Sequence, residues 1–160
     1  TFTYGGAERQ DSVLNGLLKT SEKSENVFIH DSARPLVGSD NIKKLSEALK
    51  SDSCAVLAAK VVDTIKKLDK NPNELRNREL IDLERPLLWA MQTPQAFKRS
   101  IILDCYQKVN SSGAKITDDV AAAVKSGYKI TIVENIYPNP KITVPEDLAM
   151  VEFLKSKGKI

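Results

Sequence analysis

The residues whose types and spacing best suit catalysis follow a short apolar strand predicted at residues 27–30. The strand leads directly into Asp31, and Arg34 comes three positions later. Ligands of open parallel sheets bind beyond the carboxyl ends of the strands, so we expect both side chains at the mouth of a crevice. Asp31 can hold a Mg²⁺ ion between phosphate oxygens, and Arg34 can bind a second phosphate through two hydrogen bonds. On these residues alone, a surface ion pair or a turn cap explains the pair equally well.

A second segment with polar groups ahead of a helix begins at Gly5 and Gly6. Glycines let the backbone approach a ligand closely, and the amides at the start of the following helix would face that ligand. Arg9 and Ser12 lie three residues apart, which places them on one face of the first turns. A plain strand-to-helix turn is nevertheless the simpler interpretation of this segment taken alone.

Two further segments carry polar side chains beside proline. Gln92, Thr93 and Gln95 precede a helix that we expect Pro94 to open, and their amides and hydroxyl suit a base edge or a sugar. Lys141 lies next to a proline, close to another predicted helix start. Without context, Thr93 is better explained as the N-cap of its helix and Lys141 as a solvated surface lysine.

Histidine and cysteine chemistry is not favoured. The single histidine, His30, ends an apolar strand without any Ser or Cys nucleophile motif, so we interpret it as structural or orienting. Cys54 lies in an apolar run and Cys105 in a helical pattern, and both are expected to be buried free thiols. No CxxC pair or His/Cys cluster indicates zinc, and a reducing, cytoplasmic compartment is the default expectation.

The composition argues against several other functional classes. The 160 residues carry 24 Lys and Arg against 21 Asp and Glu, a net charge of +3, and 41% are hydrophobic, which suits an ordered domain. No apolar run approaches the roughly 20 residues that span a bilayer, so no membrane association is expected. The basic residues are interspersed with acids and not interleaved with aromatic residues, so nucleic-acid binding is not expected either.

The elements that must position these residues alternate between short β-branched strands and stretches of helical period. This pattern predicts an α/β fold in which helices cover both faces of a mostly parallel sheet. The predicted strands are residues 2–4, 27–30, 54–62 and 129–133. One predicted helix carries Val13 to Leu18, and Ser39 is expected to be the N-cap of the next. Further helices are predicted to begin at Pro94 (with Phe97, Ile101 and Cys105 in register), at Thr117 (ending at Gly127) and at a Thr143–Glu146 capping box.

One segment, residues 63–84, lacks a clean helical period and contains a Lys-Asn-Pro-Asn turn signal at residues 70–73. We expect a protruding hairpin there. No internal repeat, low-complexity tract or second domain is indicated, so residues 1–160 are expected to form one domain.

Six segments, taken in order, carry a family resemblance. They are Gly-Gly-Ala-Glu-Arg-Gln-Asp-Ser-Val-Leu-Asn-Gly-Leu (5–17), His-Asp-Ser-Ala-Arg-Pro (30–35), Val-Asp-Thr-Ile-Lys (62–66), Gln-Thr-Pro-Gln-Ala-Phe (92–97), Ile-Thr-Asp-Asp (116–119) and Lys-Ile-Thr-Val-Pro-Glu-Asp-Leu (141–148). Singly most are weak, but together they strongly resemble the 2-C-methyl-D-erythritol 4-phosphate cytidylyltransferases over essentially the whole chain. The sister family of ribitol-5-phosphate cytidylyltransferases is also similar, although the residues Arg-Gln-Asp-Ser-Val (9–13) and Ser-Ala-Arg-Pro (32–35) look more like the methylerythritol branch.

The resemblance implies a Rossmann-like nucleotidyltransferase that uses Mg²⁺ to transfer CMP from CTP to the polyol phosphate in isoprenoid precursor synthesis, with release of pyrophosphate. The attacking phosphate is largely ionised at pH 7, so no general base is needed. Positioning and charge neutralisation would then carry the catalysis, which suits a site of Asp, Arg, Lys and Thr.

The resemblance also implies roles for individual residues. The metal-binding acid would be Asp31, and the substrate-phosphate contact Arg34. The positions that match catalytic cations are Arg85 and Lys141, those that match CTP contacts are Gly6, Arg9 and Ser12, and those that match substrate hydroxyl contacts are Thr64, Thr93 and Thr117. In the family an arm corresponding to residues 61–92 swaps around a second subunit, so a homodimer is implied in which Thr64 and Arg85 serve the partner's site.

Two departures from the family pattern stand out. The segment Tyr137-Pro138-Asn139-Pro140-Lys141 replaces a typical Asp-Asn-Ile-Lys, so an acid is lost at Pro138 and two prolines stiffen the approach to Lys141. The glycine-rich loop that cradles the triphosphate in the family would lie upstream of residue 1, so this chain alone is expected to bind CTP poorly. A noncatalytic module that retains polyol-phosphate binding and the dimerisation arm is therefore the alternative hypothesis.

Overall fold

The computed structural model describes residues 1–69 and 72–158 and has an α/β architecture. Its elements in chain order are α1 (Arg9–Leu18), β1 (Asn26–Ile29), α2 (Ser39–Ser51), β2 (Cys54–Lys60), β3 (Lys66–Leu68), β4 (Leu80–Asp82), a 3₁₀ turn (Arg85–Leu87), β5 (Trp89–Lys98), α3 (Arg99–Ser112), α4 (Asp119–Lys125), β6 (Thr131–Glu134) and α5 (Pro145–Ser156). No helix in the described ranges has the length and apolar character that would let it cross a membrane.

The main sheet has four strands in the order β1-β5-β2-β6 and is mixed. β5 pairs antiparallel with both β1 and β2, and the β2–β6 pair is parallel. The expectation of a mostly parallel sheet is therefore wrong for the described residues. The reason is that the chain passes from β2 to β5 through the β3–β4 hairpin, and such a connection returns the chain antiparallel without a crossover helix.

Helices cover both faces of this sheet, as predicted, because the side chains of its central strand are apolar on both sides. On β2, Cys54 packs into a core with residues of α1, α3 and α4, including the fully buried Tyr106, and with the fully buried Phe97 of β5. Ala55 and Leu57 point to the opposite face and pack with α2. This double burial explains why Cys54–Lys60 is a nearly continuous apolar run and not an alternating one.

Helix ends are well explained by local sequence. The Asp118 side chain accepts a hydrogen bond from the Ala121 amide at 2.8 Å and caps α4. Gly127 follows α4 with a φ of +88°, which confirms the predicted glycine stop. At α5 the capping acid is Asp147 and not the expected Glu146, since the helix begins one position later, with Val144 as its N-cap. Likewise Gly38, and not Ser39, is the N-cap of α2.

Two predicted elements are wrong. Residues 94–98 belong to β5, and helix α3 begins only at Arg99, because ladders with β1 and β2 on either side hold the Pro94–Lys98 stretch extended. Phe97 is buried in the sheet core, and its spacing to Ile101 imitates one helical turn. The expected strand at residues 2–4 does not form: Phe2 and Tyr4 are almost fully exposed and pair with no described strand.

The predicted hairpin is present as a separate two-stranded sheet. β3 and β4 pair antiparallel, with Lys66 opposite Asp82 and Leu68 opposite Leu80. Of the turn predicted at residues 70–73, residues 70 and 71 lie outside the described part of the chain. Several apolar side chains of this hairpin are exposed, among them Leu75 at 78% and Ile81 at 46%, which leaves apolar surface open to solvent.

The two cysteines are free and buried, as the sequence predicts. Burial raises the pKa of Cys54 to about 11 and also raises the pKa of Cys105. At pH 8 only about one Cys54 thiol in a thousand is therefore ionised, and neither is accessible. We expect no alkylation of either cysteine in the folded protein within minutes of adding iodoacetamide at pH 8, and complete alkylation in guanidinium chloride. Peptide mass spectrometry measures this, and rapid alkylation of either residue in the native state would contradict it.

Candidate active site

A carboxylate in the loop that follows β1 is the centre of the site. The backbone amide of Asp31 donates to the Thr93 hydroxyl at 3.0 Å, which ties the loop to the middle of β5. The Arg34 amide donates to the Asp31 carbonyl at 2.9 Å and closes a turn. The Asp31 side chain is thus held at the surface of the sheet while remaining partly open to solvent.

Three cations surround this carboxylate. Lys141 Nζ lies 3.0 Å from Asp31 Oδ2, Arg34 Nε lies 3.9 Å from the same oxygen, and Arg9 Nη2 lies 3.6 Å from Oδ1. Burial by itself would raise the pKa of Asp31, but the hydrogen bond from Lys141 and the charges of all three cations together lower it. Asp31 is therefore an ionised carboxylate at neutral pH, in a cluster whose cations suit an anionic ligand.

The structure thus brings together four residues that the sequence analysis selected from three distant segments. The approach of Lys141 to Asp31 shows that the two prolines before this lysine do not prevent it from reaching the site. Arg34 is held by a second contact, because its Nη1 donates to the Asn139 carbonyl at 2.7 Å. Desolvation lowers the pKa of Arg34, but its guanidinium remains charged under any physiological condition.

A buried acid that the sequence analysis did not single out anchors Arg9. Asp119 is fully buried and accepts two hydrogen bonds from Arg9, at 3.0 and 2.8 Å, as well as one from the Tyr106 hydroxyl. The hydrogen bonds to Asp119 raise the pKa of Arg9, and burial followed by the Asp119 charge raises the pKa of Tyr106. Asp119 lies in the Thr-Asp-Asp segment, but its partner Arg9 is far away in sequence, so no local pattern indicates the pair.

Thr93 and His30 form a short relay beside Asp31. The Thr93 hydroxyl accepts from the Asp31 amide at 3.0 Å and lies 2.9 Å from His30 Nδ1. His30 Nε2 lies 3.0 Å from the Arg34 carbonyl, which can only accept, so Nε2 donates there. In the neutral ring, Nδ1 then accepts from the Thr93 hydroxyl. The orienting role of the histidine stays a prediction, and Thr93 keeps one lone pair that no described donor uses.

The glycine segment before α1 is shaped by its own contacts. The Gly6 amide donates to the Ser12 hydroxyl at 2.9 Å, and that hydroxyl reaches the Glu8 carbonyl at 3.3 Å. A Cβ atom added at Gly6 would lie 2.1 Å from Cβ of Asp11, which excludes any side chain at this position. The predicted CTP contacts Gly6 and Ser12 therefore lie together at the exposed start of the helix that carries Arg9.

The remaining predicted site residues lie elsewhere. Arg85 Nη1 donates to the Val62 carbonyl at 3.1 Å, at the base of the hairpin, and Thr64 is exposed in the same region. Within residues 1–69 and 72–158, neither residue forms a hydrogen bond or ion pair with Asp31 or its three cations. Thr117 is exposed just before α4, two positions from Asp119. The structure therefore does not bring Thr64, Arg85 or Thr117 into polar contact with Asp31.

Asp31 is suited to be the protein's ligand of a divalent metal whose other ligands come from substrate and water. Groups of three or more His, Cys, Asp or Glu side chains that could hold a metal by themselves are absent from the described residues. Mg²⁺ in nucleotide sites is commonly held by one or two carboxylates, with substrate phosphates and waters as its other ligands. A single ionised carboxylate among three cations is compatible with that description.

An α/β sheet with an ionised carboxylate and three cations beyond a strand end is an arrangement whose charges suit phosphate groups. The comparison of the sequence with protein families makes the assignment specific. The chain belongs to the 2-C-methyl-D-erythritol 4-phosphate cytidylyltransferase family, whose family model matches residues 1–157.

Individual relatives agree with this assignment. The chloroplastic 2-C-methyl-D-erythritol 4-phosphate cytidylyltransferase of Oryza sativa is 40% identical over 156 residues, which are 98% of this chain and 51% of that protein. The enzyme of the same name from Geobacillus thermodenitrificans is 41% identical over 153 residues, 96% of this chain and 64% of that protein. The chain thus spans between half and two thirds of the length of these curated relatives.

Solved structures share the fold. The 4-diphosphocytidyl-2C-methyl-D-erythritol synthase of Anaerococcus prevotii superposes with a TM-score of 0.86 at 30% identity, covering 97% of this chain and 67% of that one. The 2-C-methyl-D-erythritol 4-phosphate cytidylyltransferase of Thermus thermophilus gives a TM-score of 0.83 at 29% identity, covering 96% and 71%. The names of all four relatives specify methylerythritol.

Proposed function

We propose that this protein transfers CMP from CTP to 2-C-methyl-D-erythritol 4-phosphate, which gives the CDP-polyol and pyrophosphate in isoprenoid precursor synthesis. The observation that carries the proposal is the cluster of Arg9, Arg34 and Lys141 around the ionised Asp31, in a chain of this family. In this reaction a phosphate oxygen of the polyol forms a bond to the α-phosphorus of CTP. The bond from that phosphorus to the bridging oxygen breaks, and its electron pair leaves with pyrophosphate.

The residues of the cluster match the requirements of that step. Two anions must approach each other, and the phosphate monoester is largely dianionic at pH 7 because its second pKa is about 6. Lys141 and Arg34, on one oxygen of Asp31, would bind the polyol phosphate, whereas Arg9, on the other side, would bind phosphates of CTP. Cations fixed before the substrates arrive lower the barrier without any reorganisation of the site, and no general base is required.

Magnesium belongs to the same proposal. When bound, Mg²⁺ would neutralise charge that develops on the phosphates of CTP. Asp31 is the residue that would hold it, because its carboxylate is ionised and lies among the phosphate-binding side chains. Lys141 and Arg34 both face Oδ2, at 3.0 and 3.9 Å, and Arg9 alone of the three faces Oδ1, at 3.6 Å.

The decisive assay measures pyrophosphate release by the protein expressed from its complete coding sequence, with CTP and Mg²⁺. Methylerythritol phosphate and ribitol 5-phosphate are compared as acceptors, and each is also assayed with UTP as the nucleotide control. We expect turnover that requires CTP and favours methylerythritol phosphate. A preference for ribitol 5-phosphate would reassign the substrate, and a lack of turnover with both acceptors would overturn the proposal.

We also propose that the protein is a homodimer in which the hairpin and its flanks form the dimerisation arm, residues 61–92. Several of the arm's apolar side chains are exposed, including Leu80 at 57% and Leu87 at 72%. Burying them against a second subunit would remove this surface from water. The proposal also accounts for Arg85 and Thr64, which lie away from the Asp31 cluster of their own chain and would serve that of the partner.

Complementation between two inactive variants tests whether Arg85 acts across the interface. Lys141→Ala damages a site from its own chain, and Arg85→Ala would damage the partner's site. In a mixed dimer both lesions then fall in one site and the other site is intact, so an equal mixture should recover about a quarter of wild-type activity. Each variant mixed with buffer alone is the control. If Arg85 served its own chain's site, mixing would recover nothing.

A cytoplasmic location completes the proposal. Its support is the pair of free, buried cysteines, which is typical of proteins that fold in a reducing compartment.

A further inference from the structure

Residues 138–142, which we name the strap, contain two prolines and carry Lys141 to the site. A buried asparagine, Asn139, anchors the strap. Asn139 is 4% exposed, and its Nδ2 donates to the Thr93 carbonyl at 3.0 Å and to Gln92 Oε1 at 3.2 Å. Two hydrogen bonds from one buried side chain therefore attach the strap to β5 at the residue whose hydroxyl holds the Asp31 loop.

The strap is also attached to the loop of Asp31 through its backbone. The Asn139 carbonyl accepts from Arg34 Nη1 at 2.7 Å, and the Ile142 amide donates to the Ala33 carbonyl at 2.8 Å. Lys141 lies between these two contacts, and its Nζ is 3.0 Å from Asp31. The position of Asn139 therefore determines where both Arg34 and Lys141 lie relative to the carboxylate.

The prolines on either side of Asn139 make this arrangement largely preformed. Pro138 and Pro140 have fixed φ angles and no amide hydrogens, and Pro140 also restricts Asn139 to extended backbone conformations. Few conformations remain for the strap to lose when a substrate binds. A stiff segment has little freedom to correct its own position, so its placement depends on the anchor.

We propose that Asn139 is a positioning residue for the transfer reaction: it holds the strap against β5 and thereby sets the spacing of the two cations that bind the acceptor phosphate. The proposal rests on the proposed function for its kinetic consequence, but its structural part does not. Arg9, which would bind CTP, is anchored separately by Asp119. Loss of the Asn139 anchor should therefore impair the acceptor and spare the nucleotide.

The test compares Asn139→Ala with Asn41→Ala in the protein from its complete coding sequence. Asn41 is an equally buried asparagine, 3% exposed, and among the described residues its side chain has no hydrogen bond to the strap: it donates to Asn135, which in turn donates to Gln92. It therefore reports the cost of losing a buried asparagine hydrogen bond that does not hold the strap directly. We expect Asn139→Ala to lower kcat/KM for methylerythritol phosphate about 30-fold, because small displacements of positioned groups carry costs of this order. The KM for CTP should change less than about threefold, and Asn41→Ala should leave both parameters within about threefold of wild type.

Amide hydrogen exchange provides a readout that does not depend on catalysis. The Ile142 amide, which bonds to Ala33, should exchange faster in Asn139→Ala and at the wild-type rate in Asn41→Ala. Pro140→Gly loosens the strap without removing a buried hydrogen bond, and it should lower kcat/KM for the acceptor about threefold. If Asn139→Ala fails to fold, Pro140→Gly decides the question through exchange of the Ile142 amide, which should be faster than in the wild type, and an unchanged exchange rate would overturn the proposal.

The proposal is overturned if Asn139→Ala and Asn41→Ala have the same kinetic effects, if CTP and the acceptor are affected equally, or if Ile142 exchange is unchanged. If the wild-type protein turns over neither polyol phosphate, the proposed function fails, and the exchange rates alone still decide whether Asn139 anchors the strap.

Discussion

Replacing Asp31 by alanine is expected to lower kcat by at least about a thousandfold, the scale on which electrostatic groups contribute to catalysis. Asp31 is the carboxylate shared by Arg9, Arg34 and Lys141, and it is the residue that would hold Mg²⁺. Without it, three cations face one another, and the metal loses its protein ligand. The fold should persist, because Asp31 lies in a loop and its backbone amide still donates to Thr93 in the variant.

Two controls separate charge from shape. Asp31→Asn keeps the volume of the side chain and should lose nearly as much activity as Asp31→Ala, since the amide carries no charge. Asp40→Ala removes an exposed carboxylate that pairs with Lys43 on α2 and should leave turnover unchanged. Pyrophosphate release reports activity, and circular dichroism reports the fold. Near-normal turnover of Asp31→Ala would refute a metal-binding role for this residue.

Replacing Asp119 by alanine is expected to destabilise the protein by about 3 kcal/mol, near the lower end of the cost of breaking a buried ion pair. The cost stays at this lower end because the freed Arg9 side chain is 41% exposed and can be hydrated. It is not smaller because the buried Tyr106 hydroxyl loses its acceptor. For a chain of this size, a loss of about 3 kcal/mol lowers the melting temperature by roughly 10 °C. The KM for CTP should rise about tenfold or more, since Arg9 is no longer held toward the nucleotide side of the site.

Tyr106→Phe is the matched control for Asp119→Ala. It removes one hydrogen bond to Asp119 while the bidentate contact with Arg9 remains, so it should cost about 1 kcal/mol and leave the KM for CTP unchanged. Thermal unfolding and initial rates at varied CTP measure the two effects. If Asp119→Ala raised the KM for the acceptor but not for CTP, Arg9 would belong to the other half of the site.

Local sequence was sufficient to predict many of the elements. Apolar periodicity and caps predicted α2, α4, β1 and β2 to within a few residues. The error at Pro94–Lys98 has a specific cause: Phe97 packs in the sheet core, and the helix that begins at Arg99 continues the same apolar spacing. Only the pairing of this stretch with strands on both sides distinguishes the two conformations, and pairing is not a local property.

The residues of the candidate site also fall into those that local sequence indicates and those that depend on distant contacts. Asp31, Arg34 and Lys141 were predicted because each lies at the end or beginning of a recognisable element and within a family motif. Asp119 and Asn139 were not singled out because their importance comes from contacts with Arg9 and Thr93, which lie far away in the chain. In the sequence alone, Asp119 resembles an ordinary acid in the first turn of a helix, and Asn139 resembles an ordinary loop residue between two prolines.

The long-range contacts of the site also bear on how the chain reaches its native state. Arg9 meets Asp119, Arg34 meets Asn139, and Asp31 meets Thr93, across sequence separations of 110, 105 and 62 residues. Contacts of this kind close large loops, and their entropy is lost before packing compensates for it, so they form late and slowly. During refolding, helical signal should therefore return before the capacity to bind nucleotide, and a chain interrupted anywhere between Arg9 and Asn139 would carry helices without a finished site.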